Sequence, residues 1–194
     1  MTKIVLASAS PRRRQLLEWA ELKFDVLSRE TPEVYPDGMS MEEIPVHVAR
    51  QKALIVQTLD LYKRYESHMP ILAADTIVIL DGKILGKPES KADAINMLLE
   101  LSGKKHTVIT GVVILFNDRE VSFSDTTEVE FHHIDPEDIH YYVEKYLPLD
   151  KAGAYAIQEW IGVIGIKSIS GDFYNVMGLP ISRVLRSLRD NFWV

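Results

Sequence analysis

The chain of 194 residues has no cysteine. That excludes a disulfide framework, thiolate zinc sites, iron–sulfur ligation and a cysteine nucleophile. No apolar run approaches the roughly 18–20 residues that a membrane helix needs. The opening Met1-Thr2-Lys3-Ile4-Val5-Leu6-Ala7 lacks the long apolar core and cleavage site of a signal peptide. The expectation is a soluble, cytoplasmic protein with no membrane partner. Excess positive charge is missing too. The formal balance of −6 argues against a stable nucleic-acid partner, because phosphate neutralisation dominates such binding. No His-x-x-x-His spacing occurs, and the adjacent His132 and His133 would face opposite ways on a strand. All six histidines are therefore read as non-ligands. Any metal would be a hard cation held by carboxylate and phosphate oxygens.

What is present is unevenly placed. Lys3, Arg12, Arg13 and Arg14 give the first fourteen residues a charge of +4, so the remainder sums to −10. A basic spot inside an acidic molecule suggests a local anion site, not the extended stripe that nucleic acid requires. Hydrophobic residues make up 46% of the chain, enough for a packed core, and no repeat or flexible linker is visible. Residues 1–194 are expected to form a single domain, in which any two lobes share a cleft.

Lys3 to Ala7 reads as a short buried strand. Ser10 suits a helix N-cap and Pro11 the first helical position, with Leu16, Leu17 and Ala20 as the apolar face to about Glu21. A strand is expected over Leu22 to Leu27 and a loop over Ser28 to Met39. Ser40 and Glu43 form a capping-box pattern for a helix to about Tyr65. Ile71 to Leu80 reads as a central strand, turning at Asp81-Gly82 into Lys83 to Leu85. Ser90 caps a helix over Lys91 to Leu101. His106 to Phe116 and Glu120 to Phe131 are two long strands, the second alternating with Val121, Phe123, Asp125, Thr127, Val129 and Phe131 on one face. Pro136 opens a helix to about Leu147, Gly162 to Ile169 reads as a strand, and Leu179 to Leu188 as a final helix. The fold class is α/β: a mixed sheet with long antiparallel strands and flanking helices.

Four segments could carry chemistry. In Ser8-Ala9-Ser10-Pro11-Arg12-Arg13-Arg14, free N–H groups at a helix start and fork-shaped guanidinium donors suit phosphate. Three bases in a first turn oppose the helix dipole, a conflict an anion would remove; the plainer alternative is a routine cap with exposed arginines. Asp75, inside a strand that reads as central, is costly unless paired, metal-bound or functional. It could be a general base, a metal ligand or a salt-bridged structural residue. The Asp-x-Asp pair of aspartyl-phosphate phosphatases is absent, since Ala73 stands where the first aspartate would be. Gly86-Lys87-Pro88 offers a lysine on a rigid turn, and Lys52 a second, weaker candidate. Finally, Asp150 to Gln158 and Gly171 to Pro180 set small residues beside Tyr155, Gln158 and Asn175, which suits a flat ring or a base edge, or else two ordinary loops.

The collinear series Leu-Ala-Ser-Ala-Ser-Pro-Arg-Arg, Ala49-Arg50-Gln51-Lys52-Ala53, Ala74-Asp75-Thr76, Gly86-Lys87-Pro88, Leu101-Ser102-Gly103-Lys104, Thr110-Gly111-Val112, Asp150-Lys151-Ala152-Gly153-Ala154-Tyr155 and Asn175-Val176-Met177-Gly178-Leu179-Pro180 resembles the Maf family of nucleoside triphosphate pyrophosphatases. The resemblance spans essentially the whole chain. It implies an ITPase-like α/β fold with two lobes around a cleft. It also implies hydrolysis of a nucleoside triphosphate to monophosphate and pyrophosphate, with Mg²⁺ or Mn²⁺ as cofactor. The catalytic aspartate falls on Asp75. Phosphate-binding residues fall on Ser8, Arg12, Arg13, Lys52 and Lys87, and the metal-binding glutamate on Glu33, with Glu30 competing. Asp75 is the second expected metal ligand. Arg12, Thr76 and Gln158 match the branch acting on dTTP and UTP, so these three are expected to contact substrate. A role in cell division is associated with the family, which keeps a nucleotide-binding regulator with little turnover as an alternative. Dimers are common in it, so a homodimer is allowed for. Two departures stand out: Glu159-Trp160 follows Gln158 where Gly is usual, and Asp172 replaces a common Ser, adding either a metal-shell carboxylate or a local cap.

Overall fold

The computed structural model describes residues 3–64 and 69–192. The strands are β1 (Ile4–Leu6), β2 (Phe24–Val26), β3 (Ile71–Leu80), β4 (Lys83–Leu85), β5 (Lys105–Phe116), β6 (Arg119–Phe131) and β7 (Ile166–Ser170). The helices are α1 (Pro11–Trp19), α2 (Glu43–Thr58), α3 (Asp60–Arg64), α4 (Lys91–Leu101), α5 (Pro136–Tyr146), α6 (Trp160–Gly165), α7 (Phe173–Met177) and α8 (Ile181–Asn191), with a 3₁₀ turn at Ala152–Ala154. The sheet has seven strands in the order β2-β1-β3-β5-β6-β7, and β4 pairs with β3. β1 runs parallel to both β2 and β3, whereas β4 is antiparallel to β3 and β7 to β6. This is the expected mixed α/β class. None of the described helices is long and apolar enough to cross a membrane.

The chain divides into two compact units. The first comprises residues 1–75, 110–125 and 178–194; the second comprises residues 76–109 and 126–177. In the first unit, Ala49, Ala53 and Val56 form one stripe of α2 and pack on Val5, Ala7, Ile71, Ala73, Val113 and Leu115 from β1, β3 and β5. Their spacing is that of a single helix face. Gly111 on β5 lets the sheet meet the first turn of α2, where a Cβ would collide with the backbone of Pro45 and Val46. The capping box forms as expected: Ser40 N–H and Oγ both donate to Glu43 Oε2 at 3.0 Å, and Glu43 N–H donates back to Ser40 Oγ. α2 stops at Thr58 because Leu59 is extended, and the expected endpoint near Tyr65 lies outside the described residues.

In the second unit, β6 buries Thr127, Val129 and Phe131 and exposes Thr126 and Glu128, the predicted alternation. Asp81 and Gly82, both at positive φ, form the tight turn into β4. The strand expected over Gly162 to Ile169 is a correction. Residues through Gly165 form helix α6, and only Ile166–Ser170 is strand. Glu159 C=O accepts from the N–H groups of both Gly162 and Val163, which starts the helix. Gly162 also packs on the Ile157 carbonyl so tightly that no Cβ would fit. Tertiary context here overrides the strand preference of Val163 and Ile164.

Candidate functional site

β1 ends at Leu6, and Ser8 follows it, buried. Ser10 is extended and caps α1, accepting from Arg13 N–H, with Pro11 in the first turn. The helix entry predicted from the motif is therefore present. Its two central arginines part company. Arg12 is partly exposed, whereas Arg13 turns inward and is only 8% exposed. Arg13 Nη1 donates to Ser8 Oγ at 3.1 Å and Nε donates to the Gly178 carbonyl at 2.8 Å. Burial lowers the Arg13 pKa from its usual value and Arg12 adds to that, while the charges of Asp75 and Glu33 pull it back up. Arg13 thus keeps its charge in a spot where carboxylates compensate its desolvation.

Asp75 sits where β3 has just passed through four fully buried residues, Ile71 to Ala74. Its carboxylate is paired. Lys52 Nζ, projecting from the edge of the α2 core stripe, lies 2.6 Å from Asp75 Oδ1 and 3.1 Å from Glu33 Oε1. Of the two competing acids of the long loop, Glu33 is the one in contact with Lys52. The Lys52 and Asp75 side chains are 17% and 11% exposed, so this pair is largely withdrawn from water. α2 is tied two residues earlier as well, by Arg50 gripping Glu120 through Nε and Nη2. The first unit therefore gathers Arg13, Glu33, Lys52 and Asp75 into one set of opposite charges, with Ser8 hydrogen-bonded to Arg13. Two carboxylates converging on one cation are also the hard-oxygen donors that Mg²⁺ or Mn²⁺ takes.

Thr76, Lys87 and Gln158 belong to the second unit. Thr76 follows Asp75 on β3, and Lys87 is exposed on the turn after β4. Gly153 N–H donates to Gly86 C=O at 3.0 Å, pinning the Asp150–Tyr155 segment to the Gly-Lys-Pro turn. Gly153 has a positive φ of 66° and rests on Val78, which explains a glycine there. Gln158 is partly exposed, and its Oε1 is buried without a partner among the described residues.

Tyr155 and Asn175 are turned into the second unit. Tyr155 is buried, and its hydroxyl lies 2.7 Å from His106 Nε2. Asn175 is fully buried and donates to the Val108 carbonyl and to Thr127 Oγ1. Both hold the second unit together. Asp172 acts as a local cap, accepting from Tyr174 N–H at 2.8 Å. Lys151 and Glu159 escaped the sequence reading as a pair. Lys151 is buried beside Asp150 and Glu159. A lysine between Asp and Ala gives no local sign of burial.

A family profile described as Maf-like protein matches residues 3–191. The chain is 48% identical over 191 residues to the "dTTP/UTP pyrophosphatase" of Bacteroides thetaiotaomicron, covering 96% of this chain and 95% of that one. It is 46% identical to the protein of the same name from Bacteroides fragilis, again over 96% and 95% of the two chains. It is also 46% identical to the one from Cytophaga hutchinsonii, over 98% of this chain and 85% of the other. Among solved structures, the Ham1 protein of Staphylococcus aureus aligns over 96% of this chain and all of its own. That likeness, at 16% identity and a TM-score of 0.48, says nothing about chemistry.

Proposed function

Since this chain belongs to the Maf-like protein family, we propose that it hydrolyses dTTP and UTP to the monophosphate and pyrophosphate. The observation that carries this is the Lys52 ammonium held at once by Asp75 and Glu33, in the same unit as the Arg13–Ser8 helix entry. The names of relatives at 46–48% identity support the substrate.

The chemistry follows from those charges. Arg12, with the N–H groups at the start of α1, receives phosphate oxygens, and Lys87 adds a compact cation. Arg13 holds Ser8 and the helix entry in place while contributing its charge. Before substrate arrives, Lys52 is ion-paired with Asp75 and occupies its carboxylate. A triphosphate competes for the Lys52 ammonium. Once Lys52 turns to a phosphate oxygen, the Asp75 carboxylate is free to take a proton from water. That water forms a bond to the α-phosphorus, and the bond from the α-phosphorus to the bridging oxygen breaks. Pyrophosphate leaves with the electron pair, and the proton resides on Asp75. Glu33 and Asp75 are the residues that would hold Mg²⁺ or Mn²⁺. Such an ion supplies neutralisation of the phosphate charge. Thr76 and Gln158 are assigned to base selection, Gln158 with an acceptor oxygen and donor nitrogen suited to a pyrimidine edge.

The test is a screen of standard and modified nucleoside triphosphates with Mg²⁺ or Mn²⁺, detecting pyrophosphate and phosphate separately. Pyrophosphate release from dTTP and UTP over many turnovers is expected. Preference for a purine such as 7-methyl-GTP would refute the assignment of Arg12, Thr76 and Gln158. Binding without release would point instead to a regulator.

A further inference from the structure

Glu159 stands at the N-cap position of α6, immediately after Gln158, yet its side chain makes no cap hydrogen bond. A serine, threonine, aspartate or asparagine would cap better. The Glu159 carboxylate is turned instead into the second unit. Its Oε2 accepts from Tyr142 Oη at 2.6 Å, and its Oε1 lies 3.6 Å from Lys151 Nζ. Tyr142 on α5 is fully buried, and the Lys151 side chain is 8% exposed. The same Tyr142 hydroxyl accepts from Ala156 N–H at 3.3 Å. Glu159 N–H in turn donates to the Ala156 carbonyl at 3.0 Å. The four residues from Ala156 to Glu159 are thus tied at both ends to one phenol. Gln158 lies inside that closed loop.

We infer that Glu159, acting through Tyr142 and Lys151, is a positioning residue that sets the Gln158 side chain for recognition of the pyrimidine base. The inference rests on the assignment of Gln158 proposed above. A short charge-assisted hydrogen bond from a buried tyrosine is stronger than a neutral one, and Lys151 needs a carboxylate nearby to stay buried. A glycine after Gln158 supplies no acceptor for Tyr142 and leaves Lys151 without the second carboxylate that Glu159 adds to Asp150. A chain with glutamate there therefore holds its specificity loop by a side-chain clamp, where a glycine must rely on backbone geometry. The effect should appear in substrate affinity, because the clamp acts on Gln158 and not on the residues assigned to the chemistry.

The experiment compares wild type with E159A, E159Q and Y142F, measuring kcat and KM for dTTP and UTP. Hydrogen exchange of the 156–163 segment is followed in parallel. Loss of one charge-assisted hydrogen bond predicts a KM raised about tenfold in E159A and Y142F, with kcat within about twofold. E159Q keeps an acceptor for Tyr142 and should recover most of the affinity. Exchange of the segment should speed up in E159A and Y142F and recover in E159Q. If E159A fails to fold, Y142F, which changes one atom, carries the same test. An unchanged KM in Y142F and E159A with active wild type overturns the inference, as does a uniform fall in kcat with no change in KM. If wild type turns over neither dTTP nor UTP, the proposed function fails instead. The exchange data then decide the clamp alone: unaltered exchange in both variants overturns it.

Discussion

Lys52 Nζ stands 2.6 Å from Asp75 Oδ1, so the aspartate proposed as the base is held by a cation. The pair is largely buried, which makes its two halves unequal under mutation. Lys52→Met leaves a carboxylate on β3 without its main counter-charge and should destabilise the fold by about 3 kcal/mol. Asp75→Asn should abolish turnover and leave the fold intact. The double variant should be more stable than Lys52→Met alone. Urea unfolding of all three checks this, and simple additivity would show that the pair is not coupled.

Arg13 donates to Ser8 Oγ and to the Gly178 carbonyl from the two sides of its guanidinium. A lysine cannot make both bonds. Arg13→Lys should raise KM for the triphosphate at least tenfold and lower stability by about 1–3 kcal/mol, since a buried carbonyl or hydroxyl loses its donor. Ser8→Ala removes one acceptor and should cost less. Steady-state kinetics with thermal melts separates the two effects. Equal KM values in wild type and Arg13→Lys would show that the fork is dispensable.

Gly111 admits the first turn of α2 against β5, and a methyl group there has no room. Gly111→Ala should cost about 1–3 kcal/mol through overpacking. It should also lower activity, because the helix that shifts is the one carrying Lys52. A destabilised protein with unchanged kcat and KM would show that the α2 position is not critical for the site.

His106 is buried against Tyr155 and Phe131, and burial lowers its imidazole pKa from 6.5 to about 4. Between those values the unfolded chain binds the proton and the folded chain does not. The stabilising contribution is therefore complete above about pH 6.5 and lost as pH falls toward 4, by roughly 3 kcal/mol over that window. His106→Gln should flatten this part of the stability profile. Parallel denaturation series at pH 7.5, 5.5 and 4.5 provide the measurement. Profiles of equal slope would rule out His106 as the source.

Much of the fold was legible because local signals agreed with it. Ser10, Ser40 and Ser90 cap helices, and Asp81-Gly82 turns β3 into β4. Asp75, an aspartate in an apolar strand, announced a paired group, and Lys52 is that partner. What was not legible shares one physical cause, which is that burial direction is set by distant neighbours. Tyr155 and Asn175 could be ring or base contacts or parts of ordinary loops by sequence, and they point inward to His106, Val108 and Thr127. Arg12 and Arg13 look equivalent in sequence, yet Arg13 is buried and Arg12 stays partly exposed. The run from Gly162 reads as strand because the Ile157 carbonyl, against which Gly162 must fit, leaves no local trace. The Tyr142–Glu159–Lys151 clamp joins residues whose separations follow no helical or strand period.

Arg13 takes an acceptor from Gly178, 165 residues further along the chain. Synthesis proceeds from the N-terminus, and domains fold as their segments emerge. A nascent chain can assemble α1, α2 and β3 long before Gly178 exists. Until that glycine leaves the ribosome, the Arg13 side chain has no final seat. Translation products that stop short of residue 178 would lack this acceptor, and with it one of the bonds that seat Arg13 at the helix entry.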